Sequence, residues 1–190
     1  MTFETLSGPV SSEVNGRMVK VLMPEPKGLS LNIELDQHRG WKTVDFINTG
    51  VPHVVIQVED LQAHPVETEG KSIRYHKLFS PEGTNADFMK ISGPHQLEMR
   101  TYERGVEGET LACGTGAIAC ALVASARDLA ASPVTVKTRG GEELVIHFKK
   151  RGQIWYQFLS SGKNIFIDIE TVSYTHLRAH ETSLHLVCRL

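Results

Sequence analysis

The glycine-rich stretch G-V-E-G-E-T-L-A-C-G-T-G (105–116) runs straight into A-I-A-C-A-L-V-A-S-A-R-D-L-A (117–130). The second part is rich in alanine and leucine with almost no polar interruption, which predicts a helix that is apolar all round and therefore buried. Such a helix needs walls, and the rest of the chain reads as strands. F-E-T-L (3–6), the segment around G-R-M-V-K-V-L-M (16–23) and L-S-L-N-I-E-L (29–35) are separated by turn chemistry. Residues 44–60 give two β-branched runs around a Gly/Pro break, with V-V-I-Q-V suited to a central strand. D-F-M-K-I-S (87–92) follows the loop S-P-E-G-T-N (80–85), and Q-L-E-M-R-T-Y-E-R (96–104) alternates with period two. P-V-T-V-K-T (133–138) and E-E-L-V-I-H-F (142–148), joined by R-G-G, predict a hairpin, and I-W-Y-Q-F-L (154–159) and N-I-F-I-D-I-E (164–170) add two strands. Residues 62–78 are polar and expected to be helical in part, with Ile73, His76 and Lys77 on one face. Many strands and one central apolar helix define an α+β class: a mostly antiparallel or mixed sheet wrapped on a helix.

At 190 residues, 41% apolar and 22% charged, the chain is in the range of globular proteins of one ordinary domain or two small ones. A formal net charge of -2 without a basic stripe gives no support to a nucleic-acid partner. No run approaches the roughly 18 apolar residues of a membrane span, and the start lacks a secretory layout, so no membrane partner and a cytoplasmic location are expected. Three cysteines at wide spacing (Cys113, Cys120, Cys188) make a poor disulfide framework, and there is no C-x-x-C pair. H-L-R-A-H (176–180) carries two histidines at i, i+4, but a solvated or foreign tail explains it better than a ligand set, and no metal site is expected. The texture changes near Ser173, and residues 172–190 read as a tail outside the fold.

The chemistry concentrates at A-C-G-T-G-A (112–117). Flanking glycines let the backbone turn sharply and approach a ligand, and the helix that follows offers unpaired N–H groups to an anion such as a carboxylate. A cysteine at this point is expected to have its pKa lowered toward neutrality, so that it can take and give a proton. The alternative is a small residue filling a helix start. Glu103 and Arg104 close a strand some nine residues upstream and can return to the same pocket. Arg104 suits a bidentate grip on a carboxylate, or else a surface ion pair. His53, after Pro52, can tune a thiol or relay a proton, or be structural. Asn85 can bond an ammonium and a carboxylate together, or serve the turn.

Taken together, N-T-G-V-P-H-V-V (48–55), F-S-P-E-G-T-N-A-D-F (79–88), R-T-Y-E-R-G-V-E-G-E-T (100–110) and L-A-C-G-T-G-A (111–117) resemble the diaminopimelate epimerase family in order and interval. The resemblance covers about residues 2–170 and implies pseudo-symmetric lobes, each a β-structure around a central helix. It divides the chain into a remnant of the first lobe (1–43), a second lobe (44–171) and a non-family tail (172–190). It implies a cofactor-independent isomerase that interconverts L,L- and meso-diaminopimelate, in lysine biosynthesis, by two-base thiol/thiolate proton transfer at the α-carbon. By that pattern Cys113 is the second-lobe cysteine and Glu103 and His53 assist it. The backbone amides of Gly114 and Thr115 hold the reacting carboxylate, and Asn85 and Arg104 bind the distal end. A small-molecule substrate, no cofactor, and a homodimer of the full-length enzyme are also implied.

The sequence departs from the pattern in two places. Val51 stands before Pro52, where some members place a substrate-touching asparagine, and no cysteine precedes Cys113. The first-lobe thiol and its C-G-N-G-like motif are therefore expected to lie outside this sequence, and the chain is expected not to turn over alone. Two other functions remain open: a carboxylate-binding half without turnover, and a related racemase of the same fold, such as a proline racemase-like or phenazine-biosynthesis-like enzyme.

Overall fold

A computed structural model describes residues 2–5, 8–15, 18–35, 42–151 and 154–161. Twelve strands appear among these residues: β1 (Thr2–Thr5), β2 (Gly8–Asn15), β3 (Met18–Leu22), β4 (Lys27–Glu34), β5 (Thr43–Asn48), β6 (Pro52–Gln57), β7 (Asn85–Gly93), β8 (Gln96–Glu103), β9 (Gly108–Thr110), β10 (Val134–Lys137), β11 (Glu143–Arg151) and β12 (Ile154–Ser161). Two α-helices, α1 (Val66–Arg74) and α2 (Gly114–Ala126), and a 3-10 turn at Lys77–Phe79 complete the described elements. The strands form one sheet in the order β1-β2-β3-β12-β11-β10-β8-β7-β6-β5-β4, with β9 paired to β8. Strand β3 pairs with β12 and β4 with β5, so the N-terminal strands join both ends of the later ones.

Most pairings are antiparallel, but β6 runs parallel to β7 and β8 parallel to β10. A parallel pair needs a crossover, and each crossover here carries a helix: α1 links β6 to β7, and α2 links β8 to β10. The helices lie on opposite faces of the sheet, and strand alternation supplies a separate core to each. Val54 and Ile56 on β6, Ala86 and Phe88 on β7, and Tyr102 on β8 belong to the core that contains Val66 and Ile73 of α1. The intervening Val55, Met89, Leu97 and Met99 belong to the core that contains α2.

The prediction of a fully apolar helix holds, since Thr115 through Ala124 are all buried. Both ends of α2 are tied to the neighbourhood of β5. At the N-terminal end Thr49 Oγ1 donates to the Thr115 carbonyl at 3.0 Å. At the C-terminal end Arg127 donates to both oxygens of Asp45, at 2.5 and 2.7 Å, and to Asn32 Oδ1 at 2.7 Å. A cation at the C-cap also complements the helix dipole.

The predicted strands at 44–60, 87–92 and 96–104 and the hairpin at 133–148 form as β5–β8, β10 and β11. The helix expected within 62–78 is shorter. Ile73 is buried on α1, but the helix stops at Arg74, so His76 and Lys77 do not share its face. His76 is extended instead, and its ring accepts from the Leu78 amide at 3.4 Å, capping the 3-10 turn. The strand predicted at 164–170, the tail at 172–190 and Cys188 lie outside the described residues. Among the described residues no helix is long and apolar enough to cross a membrane, and no cluster of His, Cys, Asp or Glu is arranged to hold a metal.

Gly70 is where α1 meets the sheet most closely. A Cβ built there would lie 2.3 Å from Tyr102 Cβ, an atom fixed to the backbone of β8. Replacing Gly by Ala in a helix is worth about 1 kcal/mol in propensity, whereas overpacking costs about 1–3 kcal/mol where neither side can yield. Gly70→Ala is therefore expected to lower stability by a net of up to about 2 kcal/mol, read as a reduced urea midpoint. An unchanged or raised midpoint would contradict this packing.

Candidate active site

The strand phase that builds the α2 core also delivers polar groups to its N-terminal end. His53 is in phase with Val55 on β6, Asn85 and Asp87 with Met89 on β7, and Thr101 and Glu103 with Leu97 and Met99 on β8. Register lines them up: His53 lies opposite Asn85, and Asp87 opposite Thr101. His53 and Asp87 are 0% exposed, and Asn85, Thr101, Glu103, Cys113 and Thr115 are all 8% or less. Buried polar groups require partners, and these have them.

Asp87 accepts from Thr101 Oγ1 at 2.8 Å on one oxygen and lies 2.7 Å from His53 Nδ1 with the other. The opposite ring nitrogen, His53 Nε2, lies 3.0 Å from Thr115 Oγ1. Thr115 Oγ1 in turn lies 3.4 Å from Cys113 Sγ. A continuous line of contacts therefore joins a buried carboxylate to the thiol through an imidazole and a hydroxyl. Glu103 approaches from β8, where its Oε1 accepts from Thr110 Oγ1 at 2.8 Å.

Cys113 is the N-cap of α2, in an extended conformation, and its sulfur accepts from the Gly116 amide at 3.4 Å. The glycine of that amide is needed sterically. A Cβ on Gly116 would stand 2.6 Å from Asp87 Oδ1 and 3.0 Å from Met99 Cε, so its absence lets the helix start approach the carboxylate. The amides of Gly114 and Thr115 belong to the first turn, where no intrahelical acceptor exists.

The expected fall in the Cys113 pKa is reversed. Burial pushes the thiol well up, and the charges of Glu103 and Asp87 push it further in the same direction. The bonds from Thr115 and Gly116 favour the thiolate but do not prevail. Scale explains the outcome, since a helix end contributes about 0.3–1 kcal/mol, whereas removing an ion from water costs several. Burial and the two carboxylates thus favour the protonated thiol at Cys113. Cys120, at 0% exposure on the same helix, is raised by burial as expected of a core cysteine. Neither forms a disulfide.

The remaining expected residues lie at the strand exits. Asn85 donates through Nδ2 to the Pro52 carbonyl at 3.1 Å and accepts from the Arg104 amide through Oδ1 at 2.8 Å, stitching the start of β6 to the exit of β8. Arg104 leaves β8 on the side opposite Glu103, and its Nη1 donates to the Glu82 carbonyl at 3.3 Å. Burial and the neighbouring Arg74 lower its pKa. Arg74 is itself held by Glu107, at 2.9–3.0 Å, and Tyr75 OH donates to the other Glu107 oxygen at 2.8 Å. The segment leading to Cys113 is fixed by Glu109, which binds Arg100 through both oxygens at 2.6 and 2.8 Å and also pairs with Arg139. The structure thus gathers His53, Glu103, Cys113, Gly114 and Thr115 at the head of α2, with Asn85 at its margin; the Arg104 side chain does not return to this pocket but lies with Glu82, Arg74 and Glu107, and only its backbone amide bonds Asn85. Asp87, Thr101 and Gly116 are added. Asp87 was foreshadowed by its even spacing from Met89, an acid in the inward phase of an apolar strand.

A model of the diaminopimelate epimerase family matches residues 46–160. The diaminopimelate epimerase of Aquifex aeolicus is 47% identical over 154 residues, which cover 78% of this chain and 54% of that protein. The Archaeoglobus fulgidus diaminopimelate epimerase is 45% identical over 150 residues, covering 73% of this chain and 52% of its own length. The chain spans about half the length of the curated relatives it matches. Solved structures with a similar fold include a probable proline racemase from Agrobacterium radiobacter with bound carbonate. It has a TM-score of 0.66 at 16% identity and covers 85% of this chain and 56% of that one. A phenazine biosynthesis protein from Bacillus anthracis gives a TM-score of 0.60 at 14% identity, covering 85% of this chain and 64% of that one. With the family match running from β6 through β11 and including the head of α2 and the thiol itself, the chain belongs to the diaminopimelate epimerase family.

Proposed function

We propose that this chain supplies one acid/base thiol, Cys113, of a cofactor-independent isomerase that inverts the α-carbon of diaminopimelate between the L,L and meso forms. The observation that carries this reading is the thiol itself, capping a helix start amid buried His53, Asp87 and Glu103. An amino-acid α-proton is weakly acidic, so a carbanion forms only where its charge is met by preorganised dipoles. In this reading the Gly114 and Thr115 amides bind the reacting carboxylate and lower that barrier. Cys113 exchanges the proton with the α-carbon, and Glu103 and His53 adjust its charge state. Arg104, whose buried cation is disfavoured beside Arg74, gains from a carboxylate, which supports a role with Asn85 in holding the distal end.

The raised thiol makes Cys113 the proton donor of the resting state, with the thiolate formed in the other direction of reaction. Inversion needs a second acid on the opposite face of the carbon. Cys120 is sealed in the α2 core, so that second thiol must come from outside the described residues. Cys113 without such a partner is therefore expected to exchange the α-proton without inverting the centre.

Incubating the chain with L,L-diaminopimelate in D2O tests this. Deuterium should appear at the α-carbon with retained configuration, and Cys113→Ala should abolish it. Formation of the meso isomer would overturn the single-thiol view, and absence of exchange would leave only a carboxylate-binding half. A second prediction concerns Glu103, whose negative charge holds the Cys113 pKa up. Glu103→Gln should therefore lower the pH at which Cys113 is half-maximally alkylated, by about one unit; an unchanged or higher midpoint would exclude this coupling.

A further inference from the structure

Arg104 leaves β8 into a tight turn, and three residues on stands a carboxylate, Glu107, of the kind a guanidinium ordinarily pairs with. That carboxylate is already engaged. The turn folds it back, with Gly105 at φ +96° and Glu107 at φ +59°, and the Glu107 amide donates to the Glu103 carbonyl at 2.8 Å. Glu107 Oε1 accepts from the Gly105 amide at 3.1 Å and from Arg74 Nε at 3.0 Å, and lies 2.9 Å from Arg74 Nη2. Its Oε2 accepts from Tyr75 OH at 2.8 Å. Burial pushes the Glu107 carboxyl up, but the bonds from Gly105, Tyr75 and Arg74 together hold it below its ordinary value, so it is an anion. The Arg104 guanidinium, by contrast, makes one hydrogen bond among the described residues. Its Nη1 donates to the Glu82 carbonyl at 3.3 Å, an oxygen that Arg74 Nη1 shares at the same distance. Glu82 and Glu107 both act on its charge, yet neither carboxylate pairs with it among the described residues.

We infer that Arg74 is a positioning residue that sequesters Glu107 and so keeps Arg104 uncommitted for the carboxylate of a ligand. This deepens, and rests on, the reading of Arg104 as the group that holds the distal end of the substrate. Bidentate recognition needs two guanidinium N–H groups aligned with one carboxylate. A carboxylate on the same turn would occupy them at an effective concentration that a dissolved ligand does not match. Arg74 withdraws that competitor in two ways. It binds Oε1 through two nitrogens, and it ends α1 so that the next residue, Tyr75, reaches Oε2. Its own place is fixed by close packing, because a Cβ on Gly83 (φ +70°) would collide with the Arg74 guanidinium. The helix on the outward face of the sheet thereby governs a cation on a turn that leads toward the thiol. Arg74 touches no ligand in this arrangement and acts through Glu107 and Arg104.

The test uses the intact chain and reads Arg104 itself. Phenylglyoxal captures the neutral guanidine, so a paired arginine reacts more slowly. The chymotryptic peptide 103–111 carries Arg104 as its one arginine and reports its rate by mass spectrometry. Arg74→Gln frees Glu107 to pair with Arg104 and should slow modification about tenfold, the effect of one pKa unit. Adding Glu107→Gln should restore the rate, whereas Glu107→Gln alone, where the carboxylate is already held, should change it little. Equal acceleration by Glu107→Gln in both backgrounds would mean independent charges and would overturn the sequestration. Tyr75 is 59% exposed, so Tyr75→Phe puts folding at less risk; it removes one donor from Glu107 and should slow Arg104 by a smaller factor. An unchanged rate in both Arg74→Gln and Tyr75→Phe, with native circular dichroism, would also overturn it. In the unsubstituted chain L,L-diaminopimelate should protect Arg104, and lysine, which lacks the distal carboxylate, should not. Failure of that protection with the rate pattern intact would sink the distal-end reading and leave the sequestration standing.

Discussion

Helix α2 presents no face that tolerates water. Ten successive residues, Thr115 to Ala124, are buried, so the sheet must surround the helix before either is stable. The parallel pairing of β8 with β10 follows, because the chain has to pass through the core as α2 before it returns to the sheet. The same demand recruits the inward phase of β5 to β8 and leaves the outward phase for α1. A single continuous sheet thereby separates two cores, and the head of α2 becomes the place where inward polar residues converge.

That convergence sets two effects against each other at one sulfur. The helix start and the Thr115 hydroxyl favour the thiolate, while burial and two carboxylates favour the thiol. In water-filled surroundings the first pair would have a chance; at 6% exposure the second wins. The site is built to hold a proton on sulfur until a carbanion or a coupled base makes its departure worthwhile. Gly116 is part of the same balance, since its missing Cβ admits Asp87 to the first turn, where the amide dipoles meet it.

Much of the fold was legible because its signals are local. The unbroken apolarity of 117–124, the alternation of 96–103 and the R-G-G turn each name their element without reference to the rest. Glu103 and Cys113 were legible as a pair because strand phase and helix start bring both to one pocket. His53 was legible as a candidate but not as a neighbour of Thr115, which depends on the long-range parallel register of β6 with β7. Asp87 was missed because an acid beside a turn ordinarily faces solvent. The direction of the Cys113 shift was missed for a related reason: a helix start is visible in sequence, but the depth of its burial is a property of strands far away in the chain. The early end of α1 was hidden too, since His76 prefers to cap the next turn with its own ring.

The two anchors on α2 have a mechanical meaning. Thr49 holds the helix by a carbonyl at its first turn, and Asp45, four residues earlier, grips Arg127 at its last. Strand and helix are thus pinned at both ends in opposite senses, which removes sliding along the axis and rotation about it as independent motions. Any rearrangement that brings a ligand to the thiol must carry α2 and β5 as one rigid body, and the flexing has to be taken up elsewhere, in the turns that leave them.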